Sequence, residues 1–248
     1  MSVDAAAELL RRGDPDRLSA ALCAQAGDRA RLVSLYAANL EIARAALASR
    51  EPLISLMRLQ WWADRLGDLA AGRDVAGQHA VLDALAENWG KDAGAIASLA
   101  EARRRDAMRE PFTEDEALLD YIDASAGNLM RLAARGCGLE HHPAITDQAR
   151  GAGLAAWLDA LPALGPLGLG LSPAEPARIA ALARAGLGAL DRARGASGVP
   201  RRAAPALFAG PGARARLLAH ERSEIIEMSE FSKRLAFLNL GFLGRWKS

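Results

Sequence analysis

Two acids one helical turn apart, Asp64 and Asp68, open the list of residues that can do chemistry. An Asp-x-x-x-Asp spacing sets both carboxylates on one helix face, where they can share a magnesium ion. Arg65 and Arg73 flank the pair and no acidic partner is evident in the second half of the chain, so a solvated polar face is the favoured reading over a metal site. Glu41 and Arg44 lie three apart and can pair on one helix face, with Arg58 placed to join them from the next helix. Trp61 and Trp62 are adjacent, and successive helix positions diverge by about 100°. One ring is therefore expected in the core and the other against a cavity or the surface. Asp120 and Asp123 flank Tyr121 and suit a polar face. His141-His142 precedes Pro143 and suits a turn or cap, whereas His79 and His220 stand isolated and receive no proton-transfer role. Cys137 sits between two glycines, with no neighbour that would lower its pKa.

The elements that must position these side chains are helices. Valine, isoleucine and threonine are scarce while alanine, leucine, arginine and glutamate dominate, which favours helix over strand. A first helix is expected after a cap at Asp28, running to about Ala48, with Leu32, Leu35, Tyr36, Asn39 and Ile42 on one face. Pro52 suits the first turn of a second helix and Gly72 its stop. Helices follow over about 78–89 and 92–109. Thr113 with Glu116 reads as a capping box for a long helix over about 114–135, ended by Gly136-Cys137-Gly138. His142-Pro143 opens another, to about Leu161. The stretch 161–171 is apolar but rich in proline and glycine, a break before a helix over about 173–194. Two last helical segments are expected over about 203–220 and 221–246. The expectation is one all-α domain over residues 1–248, a single helical bundle with its core at about 28–247.

Bulk properties narrow the function. A formal net charge of +1 gives no concentrated basic surface for phosphate backbones, so no nucleic-acid partner is expected. Cys23 and Cys137 stand far apart in no metal-binding spacing, which suits a reducing compartment. The start carries Asp4 and no basic segment ahead of an apolar run, unlike a secretory signal. No apolar window of about 18 residues is free of charge. A cytoplasmic protein is expected. At the C-terminal end, Phe231, Leu235, Leu238 and Phe242 recur at three- and four-residue spacing among Lys233, Arg234, Arg245 and Lys247. Two readings stand for 231–247: a last helix packed on the bundle, or a basic amphipathic helix touching an anionic membrane, which would place the protein peripherally at an inner membrane.

The segment from Leu35 to Asp68 is the most distinctive. It holds Tyr36-Ala-Ala-Asn39-Leu-Glu41-Ile-Ala-Arg44 and, about fifteen residues on, Arg58-Leu-Gln-Trp61-Trp62. These resemble the start of the squalene/phytoene synthase superfamily, and within it the branch that includes a mitochondrial complex I assembly factor. Tyr121, Ala126, Gly127 and Leu129 resemble the family's pocket-lining helix of small residues. The resemblance spans about residues 28–247 and is specific in the first third.

It implies an isoprenoid-synthase fold and, in active members, head-to-head condensation of farnesyl or geranylgeranyl diphosphate. That reaction needs magnesium to neutralise the departing diphosphate, paired aspartates to hold the metal, and a dry apolar cavity. Where the first aspartate motif belongs this chain has Ala43, Arg44 and Leu47, and the second falls near Ala163 and Leu167. With both motifs missing, the resemblance implies a vestigial pocket of Tyr36, Asn39, Glu41, Arg44, Arg58, Trp61, Tyr121 and Asn128, with no catalytic residue, no metal and no cofactor. The expected function is a non-catalytic assembly or interaction factor with a protein partner, respiratory complex I subunits among the candidates. The alternatives are a magnesium-dependent prenyltransferase rearranged around Asp64 and Asp68, or a protein that binds an isoprenoid or lipid without turnover.

Overall fold

The computed structural model describes residues 2–247. The chain is all-α: among the described residues, extended pairing is limited to an isolated bridge between Phe112 and Leu171. It divides into two compact units, the first ending at Arg109 and the second starting at Glu110.

The first unit comprises α1 (Ser2–Gly13), α2 (Pro15–Leu22), α3 (Ala26–Ala46), α4 (Pro52–Ala70), α5 (Ala80–Asn88), a 3₁₀ stretch Gly90–Ile96, α6 (Ala97–Ala102) and α7 (Arg104–Met108). Two helices thus precede the one expected to come first. Asp14 caps α2, its carboxylate accepting from the Arg17 amide at 3.1 Å, and Pro15 fills the first turn. Ala6 and Leu10 of α1 are buried as that helix packs on α3 and α5. Helix α3 starts three residues earlier than the sequence suggests, so Asp28 lies buried in its first turn and Gln25 is the cap. Leu32, Val33, Leu35, Tyr36, Ala38, Ile42 and Ala46 are buried on several sides of α3, which marks it as the central helix of the unit.

Helix α4 follows its signals closely. Pro52 is in its first turn, and Gly72, at φ 72°, ends it. The amide of Gly72 donates to the Leu69 carbonyl and that of Arg73 to the Asp68 carbonyl, closing a Schellman motif that needs the left-handed glycine. The helix expected over 92–109 is instead three short pieces. A Cβ at Gly94 would come within 2.6 Å of the Ala70 Cβ, so the backbone approaches α4 more closely than a regular helix of larger residues could. Arg109, at φ 57°, terminates α7.

The second unit comprises α8 (Asp115–Ile122), a π turn Asp123–Gly127, α9 (Asn128–Gly136), α10 (Pro143–Leu164), a 3₁₀ turn Gly165–Leu167, α11 (Pro176–Gly195), a 3₁₀ turn Arg201–Ala203, α12 (Ala204–Leu207), α13 (Ala213–Arg222) and α14 (Glu230–Leu243). The capping box at Thr113 and Glu116 does not form, since the cap position is Glu114 with no side-chain bond. The long helix over 114–135 is present but bulges at the π turn. There Ser125 Oγ donates to the Tyr121 carbonyl at 2.6 Å and Asn128 Nδ2 to the Ala124 carbonyl at 2.8 Å.

His142 caps α10 as expected, its Nδ1 accepting from the Ala144 amide at 3.1 Å. Helix α10 runs through Pro162 to Leu164, past the expected break, because a proline in the last turn removes a single donor. A Cβ at Gly151 would meet Leu190 Cδ2 at 2.6 Å, so α10 and α11 approach closely. Phe112, Tyr121, Leu154, Trp157, Leu182 and Leu217 are among the residues of this unit's core. The last expected helix, over 221–246, starts later, at Glu230, after a non-helical stretch 223–229. No described helix is long and apolar enough to cross a membrane.

Candidate functional site

The first unit carries an open pocket of about 360 Å³, lined by Glu41, Arg44, Ala45, Ala48, Arg58, Trp61, Trp62 and His79. The end of α3 supplies Glu41 and Arg44, α4 supplies Arg58 and both tryptophans, and the residue capping α5 is His79. The three-residue spacing on α3 turns Glu41 and Arg44 to one side, and Arg44 Nη1 donates to Glu41 Oε1 at 2.7 Å. The expected pairing is therefore present. Arg58 lines the same pocket, but its side chain makes no hydrogen bond or ion pair among the described residues, so it does not join them.

His79 takes that place. Its Nδ1 accepts from the Val81 amide at 3.2 Å, which leaves Nε2 as the protonated nitrogen in the neutral ring. Nε2 lies 3.7 Å from Glu41 Oε2, an electrostatic contact longer than a good hydrogen bond. The His79 imidazole, and after it the Arg44 guanidinium, hold the Glu41 carboxyl below the usual carboxylate range against the opposing effect of burial.

The tryptophans separate as the helical step requires: Trp62 is 4% exposed and Trp61 37%. Both reach the pocket, with the His79 ring edge-on to Trp62 at 5.0 Å and the two indoles 5.3 Å apart at 84°. His79 was isolated in sequence, and a histidine ahead of an apolar run signals at most a cap. Its contacts with Glu41 and the indoles come from the fold.

Four of the residues singled out by resemblance (Glu41, Arg44, Arg58 and Trp61) thus share one pocket. Tyr36 and Asn39 sit on the same helix but are buried away from the lining, with the Arg17 guanidinium 5.8 Å from the Tyr36 ring centre. Tyr121 and Asn128 belong to the second unit. Tyr121 packs 5.3 Å from Phe112 in its core, and Asn128 is half-buried, bonded to the Ala124 carbonyl and to Arg131.

The acids do not gather. Asp64 accepts from Gln60 Nε2 at 2.8 Å, while Asp68 is held between Arg65 at 2.8 Å and Arg73 at 2.6 Å. Asp159, four residues before Ala163, holds Arg216 and His220 at 2.7 Å each. Asp123 is paired with Arg150. Among the described residues no three His, Cys, Asp or Glu side chains stand together as ligands for a metal ion. The pocket offers one carboxylate, already paired, beside two guanidinium groups and an imidazole, a donor set that does not fit a magnesium cluster.

An all-α chain with an aromatic and charged pocket beside its central helix is the class defined by this geometry. The sequence profile of the family described as "Squalene/phytoene synthase" matches residues 10–158, more than half of the chain, and the chain belongs to that family. No curated protein and no solved structure matches it.

Proposed function

We propose that this chain uses the squalene/phytoene synthase fold without prenyl transfer, as an assembly or interaction factor. One observation carries the reading: where active members hold magnesium, the first window offers Ala43, Arg44 and Leu47, and the neighbouring Glu41 is committed to Arg44 and His79. A prenyl diphosphate gains its leaving-group ability from metal-neutralised charge, and no residue of this window supplies a ligand for that metal. Support for an interaction role comes from the adjoining surface of α4, where Leu53, Ile54, Met57 and Trp61 are exposed together at three- and four-residue spacing. Respiratory complex I subunits are the protein partners that the resemblance of Tyr36–Arg44 and Arg58–Trp62 suggests. A second reading, an isoprenoid or lipid bound without turnover, draws on the two indoles that wall the pocket.

The test is incubation of the full chain with farnesyl or geranylgeranyl diphosphate and magnesium, followed by assay of released diphosphate. No release above the uncatalysed rate is expected, and Ala43→Asp with Leu47→Asp does not create it. Magnesium-dependent release that Asp64→Asn and Asp68→Asn abolish would instead establish the rearranged enzyme. A pull-down from native membranes with the full chain then identifies the partner, with a Met57→Asp/Trp61→Ala variant expected to lose it.

A further inference from the structure

Helix α14 is apolar on two opposite sides, and the second unit uses one of them. Inward, Leu240 is 2% exposed and the Phe237 ring lies 5.4 Å from that of Phe208. Past the left-handed Gly244 the chain turns back, and Trp246 is buried. This end is pinned by polar contacts too. Arg201 donates to the Gly241 and Phe242 carbonyls, Gln148 Nε2 reaches the Trp246 carbonyl at 3.3 Å, and Lys247 Nζ donates to the Arg194 and Ala196 carbonyls at 2.7 and 2.8 Å.

Outward, the helix presents Phe231, Leu235, Leu238 and Phe242. At ~100° per residue they fall within about 60° of one another, opposite Leu240. Phe231 is 75% exposed and Phe242 73%, so the described residues leave the two ends of the stripe largely uncovered. Packing cannot account for it, because a helix needing one apolar face would carry polar groups here.

The charges indicate what covers it. From Phe231 to Lys247 there are four cations and no acid. Lys233 is paired back to Glu230 at 2.8 Å, whereas the side chains of Arg234 and Arg245 make no hydrogen bond or ion pair among the described residues. Arg234 projects about 60° from the first phenylalanine, along the edge of the stripe. Pairing with a second copy through this stripe would be isologous, bringing the Arg234 edge of each copy, whose acid Glu230 is already held by Lys233, against the other. An anionic bilayer meets both needs, taking the rings into its interface and the guanidinium groups among its headgroups. We propose that α14 is a membrane-docking helix that lies in the plane of an anionic lipid surface through Phe231, Leu235, Leu238 and Phe242, steered by Arg234 and Arg245.

Cosedimentation of the full chain with phosphatidylcholine vesicles, with and without about one third phosphatidylglycerol, tests this. The chain is expected to pellet with the anionic vesicles, less so as salt rises. The F231S/F242S variant loses about tenfold in partitioning, and R234Q/R245Q loses severalfold on anionic vesicles alone. Both variants alter exposed side chains, so unchanged circular dichroism and melting certify that they are folded. The proposal is overturned if the full chain stays in the supernatant, or if F231S/F242S pellets as well as the unaltered chain. It is equally overturned if light scattering shows a dimer that F231S/F242S dissolves while vesicle binding is absent, which assigns the stripe to self-association.

Discussion

Helices α3 and α14 both carry apolar residues on more than one side, and they put them to opposite uses. Around α3 the first unit closes on several sides, so Leu32, Leu35, Tyr36 and Ile42 are all buried and the polar residues left at its end, Glu41 and Arg44, are turned into a pocket. Around α14 the second unit closes on one side only, and Phe231 and Phe242 stay in solvent. The contrast shows that an all-round apolar pattern states a demand for partners without saying whether the chain itself supplies them. On α3 the demand is met internally and supports stability. On α14 the unmet half points outward.

The sharpest way to break this contrast is to remove apolar volume from each helix. Leu35→Ala leaves a cavity in a fully buried position and is expected to cost about 3 kcal/mol of unfolding free energy, read by urea denaturation. Next in size is the pocket on α3. Glu41→Gln removes the charge facing Arg44 and His79 and is expected to cost about 1 kcal/mol at neutral pH.

That second effect has a pH signature. Because the folded Glu41 carboxyl is held below its unfolded value, its contribution is full above the unfolded carboxylate pKa of about 4.3 and fades as pH falls through the lower folded value. The stability gap between the unaltered chain and Glu41→Gln should therefore close in acid. A gap that persists there would mean that the loss comes from packing.

Smaller still, F231S/F242S should stay within about 0.5 kcal/mol of the unaltered chain, since neither ring is packed. A loss comparable to that of Leu35→Ala would show that the stripe is part of a core. Smallest of all, Arg58→Gln should leave the melting temperature unmoved, because the Arg58 side chain has no hydrogen-bond or ion-pair partner among the described residues to lose. A clear drop would reveal a role in holding the pocket walls in place.

Much of this was legible before any coordinates. Pro52, Gly72 and His142-Pro143 mark α4 and the start of α10 because their effects are local: a missing amide, a left-handed φ, a ring nitrogen over a free N–H. The pairing of Glu41 with Arg44 follows equally from helical spacing. What misled were signals that need a neighbour to decide them. Thr113 and Glu116 have the capping-box spacing, yet the chain enters α8 through Glu114 and the box does not form. Residues 92–109 look like one helix, but the run divides into short pieces, the first of them packed with Gly94 close against Ala70. His79 joins the pocket across a loop from α4, a distance that periodicity does not encode.

The sequence alone determined the helical class and, through a profile match over residues 10–158, the family. These are properties of residue type and spacing, fixed by covalent order and helical geometry. Only the tertiary structure decided that His79 and not Arg58 faces Glu41, that Trp62 is buried while Trp61 is not, and that the second apolar side of α14 is left uncovered. Burial belongs to the assembled surface, and no stretch of sequence specifies which of its own faces the rest of the chain will reach.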